Sequence, residues 1–339
     1  MLSNITVSCA PHISSKFSTR KVMGYVVVGL LPATLMALFY YHFLAVSLLL
    51  TCVISCVVTE WACNLIRKKP DPADSLGDLS AIVTGIILAF SVPPRLDLWA
   101  AVLGSVVSIA IGKMVFGGLG ANIFNPAMVG RAFLTASFGM LMTSWTVPAT
   151  IDSEMPKISA TNVVEFRTQA TPLAKSKEAI KSGEGARQVN KQIKYTLTGE
   201  IGGCLGETSA IAIIVGGVFL IAFGVVSIHI PLAVLLSAFL FSSIFYLIDP
   251  AKYISPVMHL TSGGILLGAF FIATDPVTAP LTRRGMWLFG AGVGILTMLV
   301  RIVGEYPGGV MYSVLLMNAA TPLIDRLFKR VPSGGKPNG

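Results

Sequence analysis

Long apolar segments that contain almost no charged residues dominate this sequence, and they restrict how the chain can fold. Hydrophobic residues make up 54% of the 339 residues and charged residues only 12%, whereas roughly 25% of a typical soluble domain is charged. In lipid, such segments can satisfy their backbone hydrogen bonds only as helices or as a closed barrel. No alternation of polar and apolar residues runs through them, which argues against a barrel. The sequence therefore predicts an all-α polytopic membrane protein.

We expect about ten transmembrane helices, because a bilayer core of about 30 Å needs roughly 20 apolar residues per helix. Most apolar segments approach that length, namely residues 22–41, 43–66, 98–116, 210–230, 231–248, 286–304 and 308–324. Shorter segments complete the set at residues 79–92, 127–142 and 263–274.

The distribution of lysine and arginine predicts the orientation of these helices. Short loops that carry basic residues tend to be cytoplasmic. If the N-terminus is cytoplasmic, most of the basic residues in short loops of this chain lie on the cytoplasmic side. The predicted organisation is a cytoplasmic N-terminal segment, a first five-helix repeat, an external loop, a second five-helix repeat and a cytoplasmic tail. Their residues are 1–21, 22–145, 146–206, 207–325 and 326–339.

The two halves share an internal pattern. The third apolar segment of each half is short and ends at proline, at Pro93 in the first half and Pro276 in the second. A longer helix and then a glycine-rich stretch follow in both halves. Because five helices per half is an odd number, equivalent halves must be inverted, and short broken helices in inverted repeats indicate a site near the membrane midplane. The alternative is a chance resemblance between apolar segments.

The glycine-rich stretch of the first half contains the best candidates for ligand binding. Gly118 and Gly120 would let the backbone approach a ligand closely, and Asn122 and Asn125 offer amide donors and acceptors. Pro126 suits the first turn of the helix that follows. From the residues alone, a ligand site and a capped re-entrant turn are both possible interpretations.

Acidic residues at membrane depth are costly, so they are functional candidates by default. Asp275 follows the short broken helix and is the best placed to bind a cation or proton, with a cap beside Pro276 as the alternative. Glu207 precedes another helix, where an acid could also simply complement the helix dipole. The remaining acidic candidates are Glu60, Glu305 and Asp325.

Several function classes are disfavoured by the sequence. The net charge of +9 comes from short basic clusters beside apolar segments, which membrane topology explains better than nucleic-acid binding. The five cysteines show no spacing typical of zinc or iron–sulfur sites. The residues alone thus predict a ligand-binding membrane protein with an inverted repeat, and a secondary transporter fits them equally well.

Four motifs add a family resemblance. The longest reads Gly117-Gly-Leu-Gly-Ala-Asn-Ile-Phe-Asn-Pro-Ala-Met-Val-Gly-Arg-Ala132, and the others lie at residues 205–210, 269–278 and 315–325. Together they resemble the family that contains the D subunit of the Rnf complex and the B subunit of the sodium-pumping NADH:quinone reductase. The resemblance spans about residues 20 to 330, and the short polar N-terminus favours the Rnf D subunit.

This resemblance implies a flavoprotein that belongs to a multi-subunit complex in the bacterial inner membrane. In the Rnf case, electron transfer between ferredoxin and NAD⁺ is coupled to Na⁺ or H⁺ translocation. A separate flavin transferase joins FMN through a phosphoester to a threonine in the family's motif. Here the matching segment is residues 165–171 and the acceptor is Thr171, with Thr168 as an alternative. The segment departs from the family's motif at Glu165, Phe166 and Gln169.

The family also implies a second, non-covalent flavin, usually riboflavin, in the membrane part. Asn122, Asn125 and Pro126 match that region, with Gly118 and Gly120 beside them. Asp275 and Glu207 would couple flavin reduction to ion movement. Neither ferredoxin nor NAD⁺ is expected to bind this chain itself. The alternatives are a B-like component of the quinone reductase and a secondary transporter without redox activity.

Overall fold

The computed structural model describes residues 18–146, 171–182, 187–190, 193–199, 202–304 and 308–329. Within these residues the chain is built from helices, as the sequence predicted. The first half comprises α1 (Thr19–Ile66), α2 (Ser80–Phe90), α3 (Leu98–Ile109), α4 (Pro126–Ser137) and α5 (Gly139–Met142). The intervening segment forms α6 (Pro172–Ser182), α7 (Arg187–Asn190) and α8 (Ile193–Thr198). The second half comprises α9 (Ala210–Ala222), α10 (His229–Ile248), α11 (Pro256–Thr261), α12 (Ile265–Leu267), α13 (Arg283–Ile302) and α14 (Val310–Leu327).

The helix α1 consists of two helices joined at a sharp kink. His42 has φ 45° and ψ −122°, a conformation outside the helical range. The sequence predicted separate segments at residues 22–41 and 43–66, so the boundary is confirmed. Apolar side chains beside the kink are exposed, with Phe43 at 78% and Phe39 at 60%. Apolar exposure on that scale is typical of a surface that faces lipid or another protein chain.

Three helices of the described part, α1, α10 and α13, are long and apolar enough to cross a membrane. Shorter apolar helices lie at Ser80–Phe90, Leu98–Met114 and Ala210–Ala222. This pattern is that of a multi-pass membrane protein. The arrangement as ten helices in two inverted repeats stays a prediction.

Two predicted segments end or break earlier than expected. The segment at 210–230 stops at Ala222, because Gly224 adopts φ 68° and its N–H donates to the carbonyl of Ile221 at 3.0 Å. A glycine in this left-handed conformation is a frequent helix terminator. The segment at 127–142 is divided into α4 and α5 at Phe138, whose φ of −131° and ψ of 48° are not helical.

The two segments that the sequence predicted to be short broken helices differ, because the one in the second half is interrupted and the one in the first half is not. In the second half, Gly263 with φ 67° separates α11 from α12, and a π-helical turn follows at Gly268–Ile272. In the first half α2 is short but continuous, and the π-helical turn lies instead after α3, at Ala110–Met114. Such turns leave backbone groups off the regular α-helical pattern and are frequent at functional sites.

Glycines allow the helices around the first interruption to approach closely. A Cβ on Gly112 would lie 2.9 Å from the Cα of Pro126, so the π-helical turn packs directly on the start of α4. A Cβ on Gly29 of α1 would lie 3.2 Å from the carbonyl oxygen of Gly216 in α9. Small residues at helix contacts are the usual means of packing helices in membranes.

The segment predicted as a polar external loop is partly helical where the structure describes it. Its side chains Leu173 and Val189 form a small buried cluster with Ile254 and Met258 of the second half. The described part of this segment is therefore packed on the helices. Residues 147–170 lie outside the described residues, and they include Thr168 and the altered positions of the predicted flavin motif.

Candidate functional site

Six of the predicted site residues line two separate cavities, namely Thr171, Glu207, Asn122, Asn125, Pro126 and Asp275. The first, the Thr171 cavity, measures about 860 Å³ including its open side and is lined by Arg131, Trp145, Thr171, Glu207, Gly263 and Arg301, among others. The second, the Asn122 cavity, measures about 710 Å³ on the same basis and is lined by Ser80, Lys113, Asn122, Asn125, Pro126 and Asp275, among others.

Thr171 occupies the N-cap position of α6. Its side-chain oxygen accepts a hydrogen bond from the backbone N–H of Ala174 at 3.2 Å, and its carbonyl accepts one from Lys175 N–H at 2.8 Å. The residue is only 7% exposed, so it is not a solvated loop threonine. Burial also lowers the pKa of the neighbouring Lys175 ammonium. The hydroxyl is thus held at a helix N-terminus, on the wall of a cavity.

Two arginines accompany Thr171 in this cavity. Arg301, in the last turn of α13, donates to the carbonyls of His259 at 2.6 Å and Ser262 at 3.2 Å. Its Nε is buried and has no hydrogen-bond partner among the described residues. Arg131, from α4, approaches the sulfur of Cys204 at 3.8 Å. Two guanidinium groups therefore reach the same cavity from different helices.

Glu207 lines the Thr171 cavity from the short segment that precedes α9. It ends a short 3₁₀ turn, Leu205–Glu207, and α9 starts only at Ala210 with Ser209 as its N-cap. The Glu207 carboxylate accepts a hydrogen bond from the backbone N–H of Cys204 at 3.3 Å. Glu207 is therefore an acid in the first turn of this 3₁₀ helix, and it precedes the first turn of α9.

In the Asn122 cavity the two asparagines play different structural roles. Asn125 caps α4, because its side-chain oxygen accepts from Met128 N–H at 3.3 Å, and its Nδ2 donates to the carbonyl of Ile272 at 3.4 Å. Asn122 donates to the Phe124 carbonyl at 3.2 Å, but its buried Oδ1 has no partner among the described residues. The capped turn that the sequence suggested is thus present, and Asn122 still retains an unused acceptor.

The glycines Gly118 and Gly120 precede Asn122 in the chain but are not among the residues that line this cavity. Both have positive φ values, 110° and 93°, which L-residues with side chains rarely adopt. A Cβ at either position would have no heavy atom within 4 Å. Backbone conformation, and not lack of space, is what favours glycine here.

Asp275 lies on the wall of the Asn122 cavity. Its carboxylate accepts from Val277 N–H at 3.3 Å and from the Thr278 hydroxyl at 3.2 Å, so it also caps the turn beside Pro276. Asp275 and Glu207, the two candidates for ion coupling, line different cavities. Of the other acidic candidates, Asp325 accepts from Leu281 N–H at 3.1 Å, and Glu305 lies outside the described residues.

An ion pair that the sequence-based prediction missed borders the same cavity. The ammonium of Lys113 lies 2.7 Å from the carboxylate of Glu60 and 2.6 Å from the Ser80 hydroxyl, and both charged side chains are 1% exposed. Glu60 was a candidate, but Lys113 was not. A single lysine inside an otherwise apolar segment was the signal that could have identified it.

Comparison with known proteins agrees with the motifs near these cavities. The profile of the NQR2, RnfD, RnfE family matches residues 6–334. The chain belongs to this family. The resemblance that the sequence motifs predicted is therefore confirmed, and the match covers both halves and the segment between them.

Individual members of the NQR2, RnfD, RnfE family resemble the chain over almost their whole length. One is the D subunit of the Na⁺-translocating ferredoxin:NAD⁺ oxidoreductase complex of Acetobacterium woodii, with 42% identity over 96% of this chain and 94% of the relative. The D subunit of the proton-translocating ferredoxin:NAD⁺ oxidoreductase complex of Clostridium ljungdahlii is 38% identical, over 97% and 96%. The D subunit of the ion-translocating oxidoreductase complex of Actinobacillus succinogenes is 35% identical, over 98% and 99%.

Proposed function

We propose that this chain is the D subunit of an Rnf-type complex, an ion-translocating ferredoxin:NAD⁺ oxidoreductase. The observation that carries the proposal is the similarity at 35–42% identity, over nearly the full length, to D subunits of ion-translocating oxidoreductase complexes. The protein would work in the inner membrane with both termini cytoplasmic and residues 146–206 outside. The other proteins of the complex and a flavin transferase would be its partners.

The Thr171 cavity fits a covalently attached FMN. The Thr171 hydroxyl lies on its wall at the N-terminus of α6. Helix N-termini favour phosphate groups, because unpaired N–H groups and the helix dipole are directed at the anion. When bound, FMN would accept and release electrons one or two at a time. The chain's contribution is to anchor it at Thr171 and to shield it from water.

The Asn122 cavity fits a flavin without a phosphate, such as riboflavin. Apolar side chains including Phe270, Phe271 and Leu220 form much of its wall, and the unused Asn122 Oδ1 can accept a hydrogen bond from a ring N–H. The only basic residue among its principal lining, Lys113, is already paired with Glu60. A neutral ring system therefore suits this cavity better than an anion does.

Asp275 is the residue that we propose to link this cavity to ion movement. Its carboxylate borders the Asn122 cavity, and a carboxylate close to a redox group would bind a cation or proton more tightly when the group gains an electron. Glu207 would have the corresponding position in the Thr171 cavity. The relatives' names include both a Na⁺-translocating and a proton-translocating complex.

Mass spectrometry of the peptide that ends at Lys175 tests the attachment of FMN. The protein should be purified within its complex from cells that contain a flavin transferase. We expect a mass increase of one FMN minus water on Thr171, which Thr171→Ala removes and Thr196→Ala, a second threonine on the same cavity, preserves. Modification at Thr168, or an unmodified peptide from an active complex, would refute the proposed attachment.

Replacing Asp275 by asparagine tests the ion coupling. We expect electron transfer from ferredoxin to NAD⁺ to continue in membrane vesicles while Na⁺ or H⁺ uptake falls at least about tenfold, as for loss of a charge-assisted contact. Asp325→Asn, which changes a capping carboxylate elsewhere in the second half, is the matched control. Unchanged ion uptake in Asp275→Asn would exclude Asp275 from the coupling.

The B subunit of a sodium-pumping quinone reductase is the second candidate, because the matching family also includes NQR2 proteins. The donor and acceptor of the intact complex distinguish the two. Reduction of NAD⁺ by ferredoxin supports the Rnf assignment, and NADH oxidation by quinone without ferredoxin activity would replace it.

A further inference from the structure

The Thr171 cavity has a positive charge that the described part of the protein does not neutralise. Arg131 and Arg301 both line it, against the single carboxylate of Glu207. Among the described residues, the one ion pair within 4 Å joins Lys113 to Glu60, in the other cavity. Neither arginine of the Thr171 cavity therefore has a carboxylate of the described residues in direct contact. An excess of guanidinium groups over carboxylates among the described residues of the lining favours an anionic ligand.

Arg301 is held in place by neutral groups, which fix its orientation without compensating its charge. Its two terminal nitrogens donate to the carbonyls of His259 and Ser262, at 2.6 and 3.2 Å. The side chain is 3% exposed, and its Nε has no partner in the described structure. A guanidinium presents five N–H donors in one plane. Donors thus remain for an anion after the two carbonyls are satisfied.

Gly263 brings this guanidinium close to the helix that follows Thr171. A Cβ on Gly263 would lie 2.9 Å from Nη2 of Arg301 and also 2.9 Å from Cδ1 of Leu173, in the first turn of α6. The arginine and the N-terminus of α6 therefore approach the same glycine from two sides. On the neighbouring Gly264, a Cβ would lie 3.3 Å from Glu207 and 4.0 Å from Nη1 of Arg131.

We infer that Arg301 and Arg131 form a phosphate-binding subsite beside Thr171. The subsite binds the phosphate of a flavin mononucleotide and orients it at the N-terminus of α6, an inference that rests on the proposed attachment of FMN to Thr171. Arg301 is a positioning residue in this arrangement. Arginine suits the role because its planar fork matches the geometry of phosphate oxygens. The absence of a phosphate on riboflavin makes the subsite selective between the two flavins.

Binding of free flavins to the full-length Thr171→Ala protein tests the inference without covalent attachment. FMN and riboflavin are the two probes, and quenching of Trp145, which lines this cavity, is the measurement. The double variant Thr171→Ala/Trp145→Phe measures the quenching that does not come from Trp145, including any that is caused by flavin in the Asn122 cavity. We expect FMN to bind about tenfold more tightly than riboflavin or better, since hydrogen bonds between charged groups are the strong ones.

Substitution of the arginines should abolish this selectivity. In Arg301→Gln and Arg131→Gln the ratio of the FMN and riboflavin affinities should fall towards one, and Arg301→Lys should keep part of it. Arg284→Gln, at the exposed start of the same helix α13, is the matched control and should keep the full ratio. Because Arg301→Gln also removes donors to two carbonyls, Arg131→Gln and Arg301→Lys decide the matter if that variant does not fold.

The outcomes separate this inference from the proposed attachment. Equal affinities for FMN and riboflavin in the Thr171→Ala protein, or a ratio that the arginine variants leave unchanged, would overturn the subsite even if mass spectrometry finds FMN on Thr171. A ratio that depends on the arginines, together with an unmodified Thr171 in the native complex, would support the subsite and refute the covalent attachment.

Discussion

The two cavities differ in how their charges are balanced. In the Asn122 cavity the only basic residue of the principal lining, the buried Lys113, lies 2.7 Å from the Glu60 carboxylate, so its charge is already balanced. In the Thr171 cavity the hydrogen bonds of Arg301 within the described part of the chain go to two carbonyls, and its Nε has no partner there. One cavity therefore suits a neutral ring and the other an anionic group, although both have similar volumes.

This difference shows that cavity size alone does not select the ligand. Apolar walls would accept any planar ring of suitable size, whereas an uncompensated buried charge favours only ligands that neutralise it. If both cavities hold flavins, the phosphate decides which flavin each one takes. Variants that alter one cavity at a time test this contrast.

The largest effect, a loss of stability, is expected from Lys113→Met, which removes the positive member of the ion pair beside the Asn122 cavity. Glu60 would then be buried without its partner, and breaking a buried pair in this way costs about 3–5 kcal/mol. Unfolding experiments in mixed detergent micelles should show a free energy of unfolding that is lower by this amount. FMN on Thr171 should stay attached in the folded fraction.

The double variant Lys113→Met/Glu60→Met provides the control for that experiment. Replacing both members of a buried ion pair by apolar residues is often close to neutral for stability, so most of the lost free energy should return. If the single and double variants are equally unstable, packing and not charge balance is what the pair contributes.

A smaller effect is expected from Asn122→Ala, which removes the unused acceptor of the Asn122 cavity. Loss of one hydrogen bond to a bound ring should weaken non-covalent flavin binding by about tenfold, or about 1.4 kcal/mol. The amount of non-covalent flavin that can be extracted from the purified protein measures this loss, and covalent FMN should be unaffected. The control is Asn190→Ala, which should leave both flavins in place. The Asn190 side chain accepts a hydrogen bond from Ser255 N–H at 2.8 Å, outside this cavity.

The smallest effect is expected from Gly263→Ala, compared with Gly224→Ala. The two glycines have almost the same φ, 67° and 68°, but a Cβ at Gly224 would have no heavy atom within 4 Å, whereas at Gly263 it would contact Arg301 and Leu173. Both variants bear the strain of positive φ. The free energy of unfolding should fall by about 1 kcal/mol more in Gly263→Ala than in Gly224→Ala, because overpacking adds to that strain.

The flavin attached at Thr171 gives a second readout for the same pair of glycines. Displacement of Arg301 should lower the FMN content of Gly263→Ala and leave that of Gly224→Ala unchanged. Equal FMN content and equal stability in the two variants would show that Gly263 does not hold the arginine against α6.

Local patterns predicted the helices best where one residue enforces a break. The separation of α1 at His42 was expected from the apolar segments on either side, and Asn125 before Pro126 marked the start of α4. The end of α9 was predicted too late, because the apolar pattern continues past Gly224 while the backbone turns there. Hydrophobicity indicates which segments can lie in lipid, but it does not indicate at which residue a helix ends.

Contacts between distant residues were beyond prediction from the sequence. Lys113 and Glu60 are 53 positions apart, and nothing in either segment specifies the other as its partner. Likewise, Asp275 and Glu207 were both candidates for ion coupling in the sequence, yet they line different cavities.

The sequence by itself determined the class of structure, because apolar segments with unpaired backbone groups must become helices in lipid. It also determined the family, through motifs that the full-length match confirmed. Only the tertiary structure decided that Arg131 and Arg301 line the same cavity as Thr171 while Lys113 pairs with Glu60. Burial of a charge and the identity of its partner depend on which helices pack together, and that property belongs to the assembled fold and to no single segment.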